Sequence, residues 1–163
     1  MMIMLSRSQY RLENRGGIFF VNANVALHCP ICGGTLVFLS RRSRFVISYT
    51  GDKERLKIRR MRCSECGKIH HELPDYLVPY KWHCAETIES VITGNSENVP
   101  CETNVIRKIK SWWSAMSAYF TNIMIAFAAR LGMAPPESPT FIEIIRAVVN
   151  SHSWTFPGKL TGV

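Results

Sequence analysis

Two cysteine pairs of one form constrain this chain more than any other feature: Cys29-Pro30-Ile31-Cys32-Gly33 and Cys63-Ser64-Glu65-Cys66-Gly67. Each is a C-x-x-C-G knuckle, and 30 residues lie between Cys32 and Cys63. A tetrahedral ion needs four ligands, and two such pairs supply four thiolates. The two intervening residues let both sulfurs of a pair face one point. The glycine lets the backbone turn beneath the metal with no Cβ in the way. Cys29, Cys32, Cys63 and Cys66 are therefore expected to hold one structural Zn2+ ion. A pair of disulfides is the first rival, but it needs an oxidising compartment. Met1–Leu5 is too short an apolar run for a secretory signal, so a cytoplasmic location is expected. Iron held by four thiolates, as in rubredoxin, is the second rival. The spacing leaves the metal open, and the basic surroundings favour zinc.

A closed four-thiolate set has no open coordination position, so its expected role is folding rather than catalysis. His28, His70 and His71 flank the knuckles. One of them can replace a cysteine or donate to a thiolate, but plain neighbours are the favoured reading. His83-Cys84 and Cys101 match no ligand spacing and read as buried or free thiols.

Charge is concentrated on the same stretch. From Cys29 to Lys68 ten cations stand against three acids, which places +7 of the chain's net +8 there. A basic face of this kind attracts polyanions, chiefly nucleic acid. Arg41, Arg42, Arg44, Lys57, Arg59, Arg60 and Arg62 are the candidate phosphate contacts. A solvated surface that keeps a small domain soluble is the plainer reading.

The expected fold class is α+β: an N-terminal zinc ribbon, that is a β-hairpin between two Cys knuckles, followed by a C-terminal helical region. Residues 1–28 read as a leader with a short strand at Ile18–Val21. Residues 29–80 form the ribbon and a strap, Leu73–Tyr80, whose two prolines exclude a regular helix. In the ribbon Leu56 and Ile58 share one face of the return strand, and Lys57 and Arg59 the other. Residues 81–150 are helical: a short helix from Ala85 to Thr93, a long one from Thr103 to Leu131, and a last one opened by Thr140, with Glu143 at capping-box spacing. Residues 151–163 are an irregular tail. The first two helices suggest a helix-turn-helix variant with Asn104, Arg107, Lys108 and Lys110 presented to duplex DNA, although the loop between them is longer than usual.

Ser111 to Ala129 carries no charged residue over 19 positions. That length can span a bilayer, but Ser111, Ser114, Ser117, Thr121 and Asn122 recur at helical spacing and lower its hydrophobicity. A core helix, or a homodimer face on helix 103–131, fits better than a membrane span. Catalytic signals are poor: the chain holds only two Asp, Asp52 and Asp75, and no phosphate loop, nucleophile elbow or HExxH. No enzyme activity is expected.

The stretch Cys29-Pro-Ile-Cys-Gly-Gly, the hairpin ending Ile58-Arg59-Arg60-Met61-Arg62-Cys63, and Cys66-Gly67 resemble the N-terminal zinc ribbons of bacterial insertion-sequence transposases, in which a helix-turn-helix follows. The run through His70, Leu73-Pro74-Asp75, Val78-Pro79-Tyr80 and Ile106-Arg107-Lys108 is similar to an uncharacterised bacterial family of short ribbon-plus-helix proteins linked to mobile elements. The resemblance covers about residues 29–113 and, more loosely, Arg146–Asn150. It implies four cysteine ligands to zinc and a DNA-facing hairpin. It departs from a transposase in ending where an acidic catalytic domain would begin, which implies a stand-alone binding protein or a remnant. The expected function is DNA binding, transposon-associated or regulatory, with zinc needed for folding. An interaction adaptor or oligomerising scaffold working through helix 111–129 is the alternative, and an RNA-binding ribbon a further one.

Overall fold

A computed structural model describes residues 1–154. Six strands form one mixed, curled sheet: β1 (Met2–Leu5), β2 (Tyr10–Arg15), β3 (Ile18–Ala23), β4 (Leu36–Ile47), β5 (Lys53–Cys63) and β6 (Ile69–Pro74). Three helices follow, α1 (Ala85–Ile92), α2 (Thr103–Arg130) and α3 (Phe141–Asn150).

The organising strand is β5. Its alternation of Leu56 and Ile58 with Lys57 and Arg59 gives it one apolar and one cationic face. Along one edge it pairs antiparallel with β4 from Lys53 to Cys63. Its other edge is shared end to end: β3 runs parallel to Arg55–Lys57, and β6 runs antiparallel to Arg60–Arg62. β2 extends the sheet beyond β3, and β1 lies parallel to β6.

This sheet corrects the expected fold. The stretch between the knuckles is not a self-contained zinc ribbon with helices after it. The region read as a leader supplies three of the six strands, and the first two residues of the expected strap, Leu73 and Pro74, end β6. The two parallel pairings are the physical reason. They join segments 37 or more residues apart, and no local turn signal marks them. The α+β character stands. Of the tail expected over 151–163, residues 155–163 lie outside the described residues.

The main core lies between the apolar sheet face and the helices. Met4, Val21, Val46, Leu56, Ile58 and Leu73 from the sheet meet Ile88, Val91, Ile109, Trp112, Phe120, Ile145 and Val148 from the helices. Within α2 the buried residues are Ile109, Trp112, Met116, Phe120 and Met124, a three-and-four spacing that turns one stripe inward. Each such side chain contributes roughly 1.5–3 kcal/mol when buried. The uncharged stretch 111–129 is thus half core. No helix among the described residues is long and apolar enough to cross a membrane.

Two polar ties fix α3 to the sheet. Asp75 accepts from Tyr10 Oη at 3.1 Å and from Arg146 Nη2 at 3.2 Å. The Asn150 side-chain amide bonds both backbone groups of Met4, accepting from its N–H at 2.8 Å and donating to its carbonyl at 3.3 Å. A side chain thereby satisfies the outer edge of β1. The α3 N-terminus is closed by the Thr140/Glu143 capping box.

Candidate metal centre and cationic surface

The two knuckles have the same backbone. In each, the amide of the glycine after the second cysteine donates to the carbonyl of the first: Gly33 to Cys29 at 2.7 Å, and Gly67 to Cys63 at 3.1 Å. In each, the first cysteine's amide donates to the carbonyl five residues on, Cys29 to Gly34 at 2.8 Å and Cys63 to Lys68 at 2.9 Å. Gly33 and Gly67 have φ of +74° and +70°, a conformation that a Cβ penalises. Gly34 answers a different need. A Cβ there would fall 2.2 Å from Glu65 Cγ and 3.0 Å from Cys63 Sγ, so only glycine lets the first knuckle approach the second.

The strands bring the knuckles together. Leu36 opposes Cys63 in the β4–β5 register, and the Ser64 amide donates to Thr35 O at 3.0 Å. The sulfurs of Cys29, Cys32, Cys63 and Cys66 all lie within 4.8 Å of one another, and none is in a disulfide. The pairs Cys32–Cys63 and Cys29–Cys66 stand 3.4 and 3.7 Å apart. Four sulfurs each ~2.3 Å from a common zinc stand ~3.8 Å from one another, so the donor set fits one tetrahedral ion. Cys29 and Cys63 are buried, and Cys32 and Cys66 are exposed.

The electrostatics of the bare thiols conflict. The Cys66 backbone N–H, 3.5 Å from Cys63 Sγ, brings the Cys63 thiol down to about 7 despite burial. The Gly34 backbone favours the Cys32 thiolate, but the bonds to the neighbouring thiols and burial push Cys32 up to about 12. One thiolate is stabilised at the expense of the next. A divalent cation at their centre lets all four ionise together.

His70 departs from the plain-neighbour reading. It is fully buried, with Nε2 3.4 Å from Cys29 Sγ. Its Nδ1 is buried with no hydrogen-bond partner among the described residues, as is Nε2 of His152. The two rings lie 6.1 Å apart. Burial lowers the His70 pKa and keeps the ring neutral. In the Nε2–H tautomer the ring donates to the Cys29 sulfur. His28 is exposed. Cys84 is buried at the N-cap of α1, with Sγ 3.2 Å from Thr87 Oγ1, and neither it nor Cys101 belongs to the cluster.

The cationic candidates divide by environment. Arg41 donates to Val21 O, Lys57 O and Asn22 Oδ1 at 3.0, 3.2 and 2.6 Å and packs on the Phe20 ring. It bolts edge strand β4 across β5 to β3. Arg44 is largely buried and donates to Val78 O and Lys81 O at 2.5 and 3.1 Å, and burial lowers its pKa to about 10. Arg59 pairs at 2.8 Å with Glu72, whose side chain has no exposure. These three hold the fold. Lys57 bonds Ser43 Oγ and Arg60 bonds Ser40 Oγ. Arg42 and Arg62 are exposed. Asn104, Arg107, Lys108 and Lys110 are exposed on the first turns of α2, ten residues after α1 ends.

Two cations of the basic stretch that are not among the candidate phosphate contacts complete the cationic face. Lys53 and Arg55 are exposed and lie 4.7 and 5.0 Å from the Phe45 ring centre. With Lys57 and Arg59 they occupy every second position of β5, so the period-two signal was available. Across the sheet Arg15 lies over Phe20 at 4.7 Å. Among the described residues Phe20, Phe38 and Phe45 stand outside the main core. The face away from the helices is therefore a field of cations seated on aromatic rings.

A family of domains of unknown function, DUF6431, matches residues 29–112, from the first knuckle cysteine to the buried Trp112 of α2. No curated protein and no solved structure matches the chain.

Proposed function

The chain belongs to the DUF6431 family, and we propose that it is a DNA-binding protein whose sheet end is locked by one zinc ion and whose open sheet face holds the phosphate backbone of a duplex. The observation that carries this reading is the row Lys53, Arg55 and Lys57 on β5, beside Arg41, Arg59 and Arg15, whose own bonds tie them to the sheet. Alternate strand residues stand ~6.6 Å apart, close to the spacing of neighbouring phosphates along one DNA strand. The carboxylates on this face, Glu13 and Glu72, are paired with Arg15 and Arg59, so among the described residues the remaining cations of the face form no ion pair.

Cations already seated on rings lose little freedom when they meet phosphate. Contacts of this kind give affinity and register, not sequence preference. The resemblance to insertion-sequence transposases supports the end of a mobile element as the duplex bound. The zinc ion does no chemistry in this reading. Its four thiolates fix the knuckles so that the ends of β4 and β5 hold the open face in shape.

The test is fluorescence anisotropy of the full chain with a labelled random duplex, across roughly 50–200 mM salt, with RNA duplex and single-stranded DNA as competitors. Three to five phosphate contacts predict a log–log slope of about −3 to −4.5. Binding that ignores salt would instead support an adaptor working through the outer face of α2. Stronger competition by RNA duplex would move the reading to RNA.

A further inference from the structure

On the helix side of the sheet, at the margin of the core, lies a second cationic feature. A cavity of about 380 Å³ opens between β4, β6 and the turn 80–82, lined by Arg42, Arg44, His71, Tyr80, Lys81 and Trp82 among others. No carboxylate lines it among the described residues. Lys81 is only 8% exposed, and its Nζ lies 4.3 Å from the Trp112 ring centre. A buried lysine is ordinarily matched by an acid. Here the other cations at the cavity are Arg42 and the largely buried Arg44, which bonds only backbone carbonyls. Burial brings the Lys81 pKa to about 8 and that of His71 to about 4. The fold thus gathers like charges against a void, and among the described residues no acid lines it as a counter-ion.

The rim adds an independent observation. Tyr80 and Trp82 are 58% and 54% exposed on either side of the buried Lys81. Tyr80 has φ of +60°, which is uncommon for a residue other than glycine. The strained turn sends the lysine inward and holds two aromatic rings at the mouth.

We propose that this cavity binds a nucleotide through its phosphate, with Arg42 and Lys81 pairing the phosphate oxygens and Trp82 and Tyr80 stacking on the base. The volume suits a small ligand. Arg and Lys at the floor with rings at the mouth match the two halves of a nucleotide. The ligand comes either as a free mononucleotide or as the 5′-phosphorylated end of a nucleic-acid strand. The proposal goes beyond duplex binding by the open face, and neither depends on the other.

The test follows tryptophan fluorescence of the full chain during titration with AMP, adenosine, ribose 5-phosphate and inorganic phosphate. AMP is expected to give a saturable change, with adenosine and inorganic phosphate each at least about tenfold weaker. Arg42→Gln and Lys81→Met should each weaken AMP about tenfold or more. Arg42 is exposed, so its variant tests the site without disturbing the core. Trp82→Ala should narrow the gap between AMP and ribose 5-phosphate. A 5′-phosphorylated oligonucleotide that outcompetes AMP, while its unphosphorylated form does not, identifies the strand end as the source. Equal competition identifies the free nucleotide. The proposal is overturned if AMP gives no saturable change up to about 10 mM, if Arg42→Gln binds AMP like the parent, or if inorganic phosphate or adenosine alone binds as well as AMP.

Discussion

At the knuckle end of the sheet, Cys29, Leu36, Met61 and Cys63 form a buried cluster of four, while the main core gathers twenty-four buried residues from all six strands, three helices and the segment between β6 and α1. The large cluster buries enough apolar surface to stand by itself. The small one does not, and two of its four members are cysteines. Where burial is scarce, coordination replaces it. The difference teaches that an ion held by these four thiolates would act locally. It would fix the ends of β4 and β5, while the helical layer rests on its own packing.

The largest expected effect comes from breaking the knuckle end alone. Cys63→Ser should weaken the ion by on the order of a hundredfold or more. It should lower protection from hydrogen exchange over residues 27–36 and 62–70 and leave α2 and α3 protected. A collapse of the whole amide pattern would show that the two regions fold as one. Next in size is the open face. The combined variant Lys53→Ala, Arg55→Ala, Lys57→Ala should reduce the salt slope of duplex binding by up to about three and weaken binding on the order of tenfold to a hundredfold. Zinc content should not change. Arg59 is a poor choice for that experiment, because its removal strands the buried Glu72 carboxylate.

A smaller effect is expected at His70. His70→Asn should lower metal affinity roughly tenfold, measured by chelator competition, through loss of the donor to Cys29. Unchanged affinity would reduce His70 to packing. The smallest effect belongs to the main core's margin. The folded pKa of Lys81 is depressed to about 8 from an ordinary 10.5. Between those values the unfolded chain holds a proton that the folded chain has released, so stability rises with pH across that window. Below about pH 8 the folded chain carries the full penalty of a buried charge. Lys81→Met should therefore raise the melting temperature at pH 7, on the order of 3 °C, and the gain should shrink by pH 10. A gain independent of pH would assign it to packing alone.

How much of this was legible in the sequence follows the reach of each interaction. The Thr140–Glu143 cap, the buried stripe of α2 and the alternation in β5 are local, and their periods appear in the residues themselves. The cysteine cluster was equally legible, because C-x-x-C-G states its own geometry. What failed was the N-terminal part of the sheet. Met2–Leu5 is a short apolar run and Tyr10–Arg15 is mostly exposed and polar, so neither declares a partner. Their strand character comes from β6 and β3, and β6 lies about seventy residues away. Among the cations the sequence could not separate Arg41, Arg44 and Arg59, which bond inward, from their exposed neighbours. That distinction depends on Asn22, Val78 and Glu72, which pairing and packing bring to them.

Native mass spectrometry of the purified full chain tests the central claim most directly. The account predicts a compact charge-state distribution carrying one zinc ion per chain, lost on chelation together with order at the knuckle end. A compact, metal-free chain with well-protected knuckles, or one that retains its ion in the Cys63→Ser variant, would contradict it.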